Sequence, residues 1–303
     1  MGRRILERLT SSRQLMAGAL IVLAFAVVAL GAPLITPPAG EDPYLMVSDG
    51  FSFTPKPPSA EHPLGTTQSQ ADVLYGLVWG TRVAFKLSLI VALGRAAIGV
   101  ILGVVSGYFG GAIDAILMRI TDAFLAFPIM AAVLVMLTFF GGGWLGIHSG
   151  GVDRIIVLSL ILFGWMRYAR VMRGNVLAER EEEYVEAAVS VGAGSRRIIF
   201  RHILPNASSG LFVLVTSDIG AVVVWAAVFS FMGLSGNDAL ADWGQMLSFS
   251  RDWIIGTAES PFQFWYTYLP PSMAIVLFSV GWNLVGDGLR ELLDPRQGMA
   301  THA

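Results

Sequence analysis

Residues 83–108 read VAFKLSLIVALGRAAIGVILGVVSGY, an apolar stretch whose only charges are Lys86 and Arg95. A helix rises about 1.5 Å per residue, so roughly 20 apolar residues cross the ~30 Å hydrocarbon layer of a bilayer. Five other stretches have this character: Leu15–Ile35, Ala115–Phe140, Ile155–Met172, Leu211–Met232 and Pro270–Val285. The bilayer core offers no water to loose backbone groups, so each crossing is expected to be helical. The expected fold is all-α, a polytopic membrane protein with six transmembrane helices in the cell membrane.

Composition agrees. Of 303 residues, 54% are hydrophobic and 14% charged, whereas soluble domains carry about 25% charged residues. A net charge of −2 does not point to nucleic acid or to an acidic substrate. With no cysteine, disulfides and thiolate metal sites are excluded. The first apolar run, 21 residues from Leu15 to Ile35, is longer than a signal-peptide core, so it reads as a retained anchor.

Basic residues set the direction. Arg3, Arg4, Arg8 and Arg13, then Arg173, Arg180, Arg196, Arg197 and Arg201, then Arg290 and Arg296 all fall on one side of a six-span chain. That side is expected to be cytoplasmic, with both termini inside. The chain divides into an N-terminal anchor with a proline-rich external loop (1–82), a membrane domain (83–290) containing an inside loop (174–209), and a tail (291–303). The second external segment, 234–269, is aromatic: Trp243, Phe249, Trp253, Phe262, Phe264, Trp265, Tyr266 and Tyr268. An interfacial belt and partner docking both account for it.

The inside loop, residues 173–206, reads RGNVLAEREEEYVEAAVSVGAGSRRIIFRHILPN. Tyr184, Val185, Ala188 and Val191, then Ile198, Ile199 and Ile203, recur at helical intervals. Glu179, Glu181, Glu182 and Glu183 lie where a helix N-terminus favours anions. Gly192 and Gly194 break the pattern. A short helix, a glycine turn and a second helix leading into span five are expected, with the small side chains of Ala187 and Ala188 permitting close approach of another surface.

This loop resembles the signature of permease subunits of binding-protein-dependent ABC importers: E-A-A, three residues, G, then about ten residues to I-L-P. Here it falls on Glu186, Ala187, Ala188, Gly192, Ile203, Leu204 and Pro205, with His202 where isoleucine is common. The resemblance implies a type I importer-like fold and a coupling helix that docks into a cleft of an ATPase subunit, involving Tyr184, Glu186, Ala187, Ala188, Gly192 and Pro205. It implies no catalytic residues and no cofactor in this chain, with ATP and magnesium held by two partner ATPase subunits. A second permease subunit and an extracytoplasmic solute-binding protein complete the implied partners.

Four other stretches resemble the C-type subunit of dipeptide and oligopeptide importers: EHPLGTTQSQADVLYGLVWGTRVAF (61–85), GYFGGAIDAILMRITDAFLAFP (107–128), FSFMGLSGNDALADWGQML (229–247) and NLVGDGLRELLDPR (283–296). Import of dipeptides or oligopeptides is therefore the implied activity, with nickel or a glycoside as alternative cargo. Thr67, Gln70 and Ala71 depart from the usual Asp, Gly and Arg, and Ala226 stands where a glutamate is frequent.

Charges within the spans need partners. Arg119 and Asp122, three apart on one helix, are expected to pair. Arg95 and Asp218 lie at comparable depth; a structural pair and a solute-lining role both stand. Gly94, Gly99, Gly103 and Gly107 are expected to let span two approach a neighbour closely.

Two rival classes are weaker. Gly233-Leu234-Ser235-Gly236 matches the pattern of intramembrane serine proteases, but none of His62, His148, His202 and His302 lies in a span to serve as base. The only lysines, Lys56 and Lys86, do not follow glycine, so the chain has no phosphate-cradling G-x-x-x-x-G-K-[ST] loop.

Overall fold

The computed structural model describes residues 12–50, 52–141, 152–208, 210–235, 239–255, 260 and 262–293. The described residues form helices and no strand. In chain order these are α1 (Arg13–Ile35), α2 (Val73–Phe109), α3 (Gly111–Leu125), α4 (Ile129–Gly141), α5 (Val152–Leu162), α6 (Met166–Arg180) and α7 (Glu183–Ser190). There follow α8 (Ser195–Ile198), a π turn (Ile199–Ile203), α9 (Leu204–Ala207), α10 (Leu211–Phe231), α11 (Trp243–Phe249) and α12 (Trp265–Leu293). Among the described residues, five helical stretches are long and apolar enough to cross a membrane, or six when α3 and α4 count as one span.

The third span departs most from expectation. Ala115–Phe140 is not one rod: α3 and α4 meet at 87°. Pro128 has no N–H to donate and biases Phe127 away from the helical region. The Phe127 N–H turns back to the Phe124 carbonyl at 3.2 Å, and Pro128 O accepts from Ala132 to start α4. Span two begins at Val73, earlier than expected, because Asp72 caps it: its carboxylate accepts the Tyr75 N–H at 2.7 Å.

Prolines within helices leave carbonyls without donors, and side chains from other elements meet two of them. Pro33 frees the Ala29 carbonyl in α1, and Arg82 Nε of α2 donates to it. Pro271 in α12 frees the Thr267 carbonyl, and Ser250 Oγ donates to it at 2.8 Å. Arginines also meet helix ends: Arg180 Nη1 reaches Tyr108 O at 3.0 Å, and Arg251 reaches Phe231 O.

Glycine allows the closest packing. A Cβ on Gly99, Gly103 or Gly107 would lie 2.3 Å from Tyr168 Cβ, 2.6 Å from Ala169 O and 2.9 Å from Val176 Cβ, all on α6. Gly94 meets Ile161 of α5 in the same way, at 2.9 Å. The four glycines therefore seat α2 against the α5–α6 span, as their spacing predicts. Gly18 and Gly281 do the same for α1 on α12.

The aromatic segment is only partly at the surface. Trp243, Phe264 and Tyr266 are buried, which removes them from both the belt and the docking readings. Trp243 Nε1 donates to Leu77 O at 3.2 Å, and its ring joins Phe25 and Phe278 in the core. Phe262 and Trp265 remain exposed. The proline-rich loop is ordered by specific bonds. Tyr266 Oη donates to Pro55 O at 2.9 Å, and His62 bridges Asp72 and Asp49 at 2.9 and 3.2 Å.

Candidate functional site

Two constructions stand out, the loop between α6 and α10 and a buried ion pair above it.

The loop begins where Arg173 of α6 holds Asp114 of α3 through two bonds of 2.5 and 2.6 Å, with Ser106 of α2 donating to the same carboxylate. Three elements are thereby fixed before the chain turns at Glu181. Glu179 belongs to the last turn of α6 rather than to the start of the loop helix. Its carboxylate accepts the Tyr184 hydroxyl, which also accepts from Asn206 Nδ2 at 3.0 Å. Burial, then the bond to Glu179, hold the Tyr184 phenol above the ordinary tyrosine range. α7 opens with Glu183 and Glu186 in its first turn, at the positive end of the helix dipole.

Val185 is buried, and it joins Val104, Met172, Val176, Ile198, Ile203 and Ala207 in one apolar cluster. That cluster fixes which face of α7 points inward. Ala188 is half-buried against it, while Glu186, Ala187, Val189 and Val191 are exposed. Val191 is 84% and Phe200 64% exposed, so an apolar rim faces outward from a well-anchored helix.

The helix ends in a two-bond turn. Gly192 N–H donates to Val189 O at 2.9 Å, and Ala193 N–H to Ala188 O at 3.0 Å. This is the Schellman arrangement, which requires a left-handed residue at Gly192. Gly192 has φ +78°, and a Cβ there would meet nothing within 4 Å. The demand is therefore conformational and not steric.

Pro205 explains the π turn. Its missing N–H cannot serve Arg201 O, and its ring would crowd that carbonyl in a regular helix. The backbone widens instead, with Leu204 N–H reaching Ile199 O. His202 sits on this turn, its ring centroid 6.2 Å from that of Tyr184. Pro205 itself is exposed.

The second construction joins α2, α5, α6 and α10. The α5–α6 span breaks around Gly164, whose N–H turns to Ile161 O at 3.3 Å and leaves Leu160 O without its usual donor. Arg95 Nε supplies one at 2.7 Å, and Arg95 Nη1 donates to Asp218 Oδ1 at 2.7 Å. Tyr168 Oη donates to Asp218 Oδ2 at 3.0 Å. Arg95 is 4% exposed and its Nη2 has no partner among the described residues. The guanidinium packs directly against Gly164, where a Cβ would come within 2.0 Å of Nε. Paired charge and a capped helix end offset the desolvation of both ions.

Asp122 does not pair with Arg119. Its carboxylate takes Arg170 Nη2 of α6 at 2.6 Å, since α6 passes alongside α3. Sequence reasoning also missed Tyr168 and Asn206, each defined by a contact across elements, and read Glu179 as a helix-start anion rather than as the partner of Tyr184. Of the Gly233–Gly236 stretch, Gly236 lies outside the described residues, as do His148 and His302.

These features define a polytopic transport permease, and the chain belongs to the family of binding-protein-dependent transport system inner membrane components, whose pattern matches residues 99–298. Among its relatives is the dipeptide transport system permease protein DppC of Alkalihalophilus pseudofirmus, 32% identical across 97% of this chain and 90% of that protein. The glutathione transport system permease protein GsiD of Pectobacterium atrosepticum is 32% identical, covering 97% and 91%. The oligopeptide transport system permease protein OppC of Bacillus subtilis is 31% identical, covering 95% and 88%. The chain is thus a multi-pass component of the inner membrane.

Proposed function

We propose that this chain is one of two different permease subunits of a peptide importer and that α7 couples it to ATP hydrolysis by a separate subunit. The exposed rim of α7 carries the reading. Glu186, Ala187, Val189 and Val191 face away from an apolar anchor, and a contact built of one anion among small apolar side chains suits a cleft in a soluble partner. Loop 174–209 and both termini lie in the cytoplasm on this reading, where the arginines gather. The other partners are two ATPase subunits and an extracytoplasmic solute-binding protein, with ATP and magnesium bound by the ATPases. The names of three relatives, for dipeptides, glutathione and oligopeptides, support peptides as cargo; nickel or a glycoside is the alternative. The buried Arg95–Asp218 pair ties span two to span five; a place beside the solute path is the other reading of these two residues.

The test uses the reconstituted importer in proteoliposomes. Gly192→Leu and Glu186→Lys are expected to abolish solute-stimulated ATPase activity and uptake while membrane abundance stays normal. A cysteine placed at Val191, in a chain that has none of its own, is expected to cross-link to the ATPase subunit. Normal stimulation in both variants, together with no cross-link, would overturn the coupling role.

A further inference from the structure

A cleft of about 600 Å³ lies at the N-terminal half of α2, away from loop 174–209. Its size is within the range of small-ligand sites. One wall is a single face of α2, with Val83, Lys86, Leu87 and Ile90 at helical spacing. The facing wall is α5, with Arg154, Val157 and Leu158. Asp42, Tyr44 and Leu240, from two different loops, close it. Those loops are pinned to each other: Ala241 N–H donates to Tyr44 O and Met46 N–H to Ala239 O, both at 2.7 Å. The cleft is therefore a built feature of the fold.

Its chemistry is specific. The walls are aliphatic, yet two cations and one anion stand among them. No ion pair of Lys86 or Arg154 occurs among the described side chains. The Lys86 ammonium stands 5.9 Å from the centroid of the Tyr44 ring, a weak contact that leaves its charge available. Asp42 accepts the Tyr44 N–H at 2.9 Å through Oδ1 and has no cation within ion-pair distance among the described side chains. A short peptide has the complementary pattern: a carboxylate at one end, an ammonium at the other, and side chains of mixed polarity between.

We propose that this cleft is an entry subsite for a zwitterionic peptide, with Lys86 and Arg154 receiving the terminal carboxylate and Asp42 the terminal ammonium. The inference rests on the reading of this chain as a peptide permease and adds a recognition site on the permease itself. Charged pairing at such a site acts chiefly on selectivity between solutes. A lipid phosphate offers the same anionic oxygens as a carboxylate, so the experiment separates the two.

The whole importer, with its binding protein, is reconstituted in vesicles of phosphatidylcholine, with and without phosphatidylglycerol. The probe is a mixed library of peptides of two to five residues, supplied as free acids, C-terminal amides and N-acetyl forms, and the lumen is read by mass spectrometry. Lys86→Gln/Arg154→Gln removes both carboxylate partners and is expected to reduce uptake of free acids relative to amides by about tenfold or more. Amide uptake is expected to stay at the level of the unaltered importer. Asp42→Asn is expected to narrow the preference for free over acetylated amino termini, and Lys86→Arg to retain the unaltered pattern. Unchanged acid-to-amide ratios would overturn the proposal. So would an equal loss for acids and amides that appears only with phosphatidylglycerol, which assigns the two cations to lipid phosphate. If the unaltered importer takes up none of the library, the peptide reading itself fails and this inference with it.

Discussion

Arg95 of α2 and Asp218 of α10 are joined at 2.7 Å, although 123 positions separate them in sequence. The same guanidinium caps Leu160 O at the break of the α5–α6 span. Breaking such a pair from one side leaves an uncompensated ion in a poorly solvated place, at a cost of about 3–5 kcal/mol. Arg95→Met is therefore expected to lower the melting temperature and membrane abundance of the assembled importer markedly. Arg95→Met/Asp218→Leu is expected to recover most of that loss. Thermal unfolding of the detergent-purified importer measures both, and an equal loss in the double variant would remove the pair as the cause.

Gly103 and Gly174 provide a matched contrast. A Cβ at Gly103 would come within 2.6 Å of the Ala169 carbonyl, whereas one at Gly174 in α6 meets nothing within 4 Å. Gly103→Ala is expected to cost about 1–3 kcal/mol through backbone displacement. Gly174→Ala is expected to be neutral or to stabilise by about 0.5–1 kcal/mol. Melting temperatures of the two variants, measured side by side, check the helix contact.

Pro33 and Arg82 should be coupled. Arg82 meets the Ala29 carbonyl that Pro33 leaves free, and its guanidinium carbon lies 5.0 Å from the centroid of the Trp79 ring. Arg82→Met is expected to destabilise the native background by about 1–2 kcal/mol through an unmet backbone group. In a Pro33→Ala background the restored N–H should serve Ala29, and the same substitution should cost less. A double-mutant cycle on denaturation of the purified importer is expected to give a coupling energy of about 1 kcal/mol. Strict additivity would mean that the arginine does not act through this carbonyl.

Ser195 and Ser59 are both exposed, so engineered cysteines there report sidedness directly. With the arginine-rich loop in the cytoplasm, an impermeant thiol reagent applied to intact cells is expected to label position 59 and not position 195. Labelling of 195 from outside would reverse the orientation.

Hydropathy shows where the chain can cross a membrane, and the stretches from Leu15 to Ile35 and from Leu211 to Met232 agree closely with α1 and α10. It contains nothing about direction, so the 87° turn at Pro128 was not legible from apolar length alone. Pro270 and Pro271 hid the first turns of α12, because one freed carbonyl is met by Ser250, a residue outside that helix. The left-handed turn at Gly192 was readable, since glycine after a helical repeat is a local signal. The partner of Asp122 was not, because three-residue spacing favours Arg119 while the fold brings Arg170 closer. Gln70 adds a related case: it stands where the resembled importers carry glycine, and it keeps φ 60° with its amide donating to Thr54 O at 3.1 Å.

The carbonyl left open by Pro33 bears on how the protein is made. When α1 enters the bilayer alone, the Ala29 carbonyl lacks its helical donor, and the group that meets it in the finished fold, Arg82, is still to come on α2. An arginine in transit and an orphaned peptide group are each costly in hydrocarbon, and each relieves the other on meeting. The first two helices are thus better suited to integrate as a hairpin than one after the other. A pause in synthesis between residues 36 and 72 would leave α1 in its least stable condition.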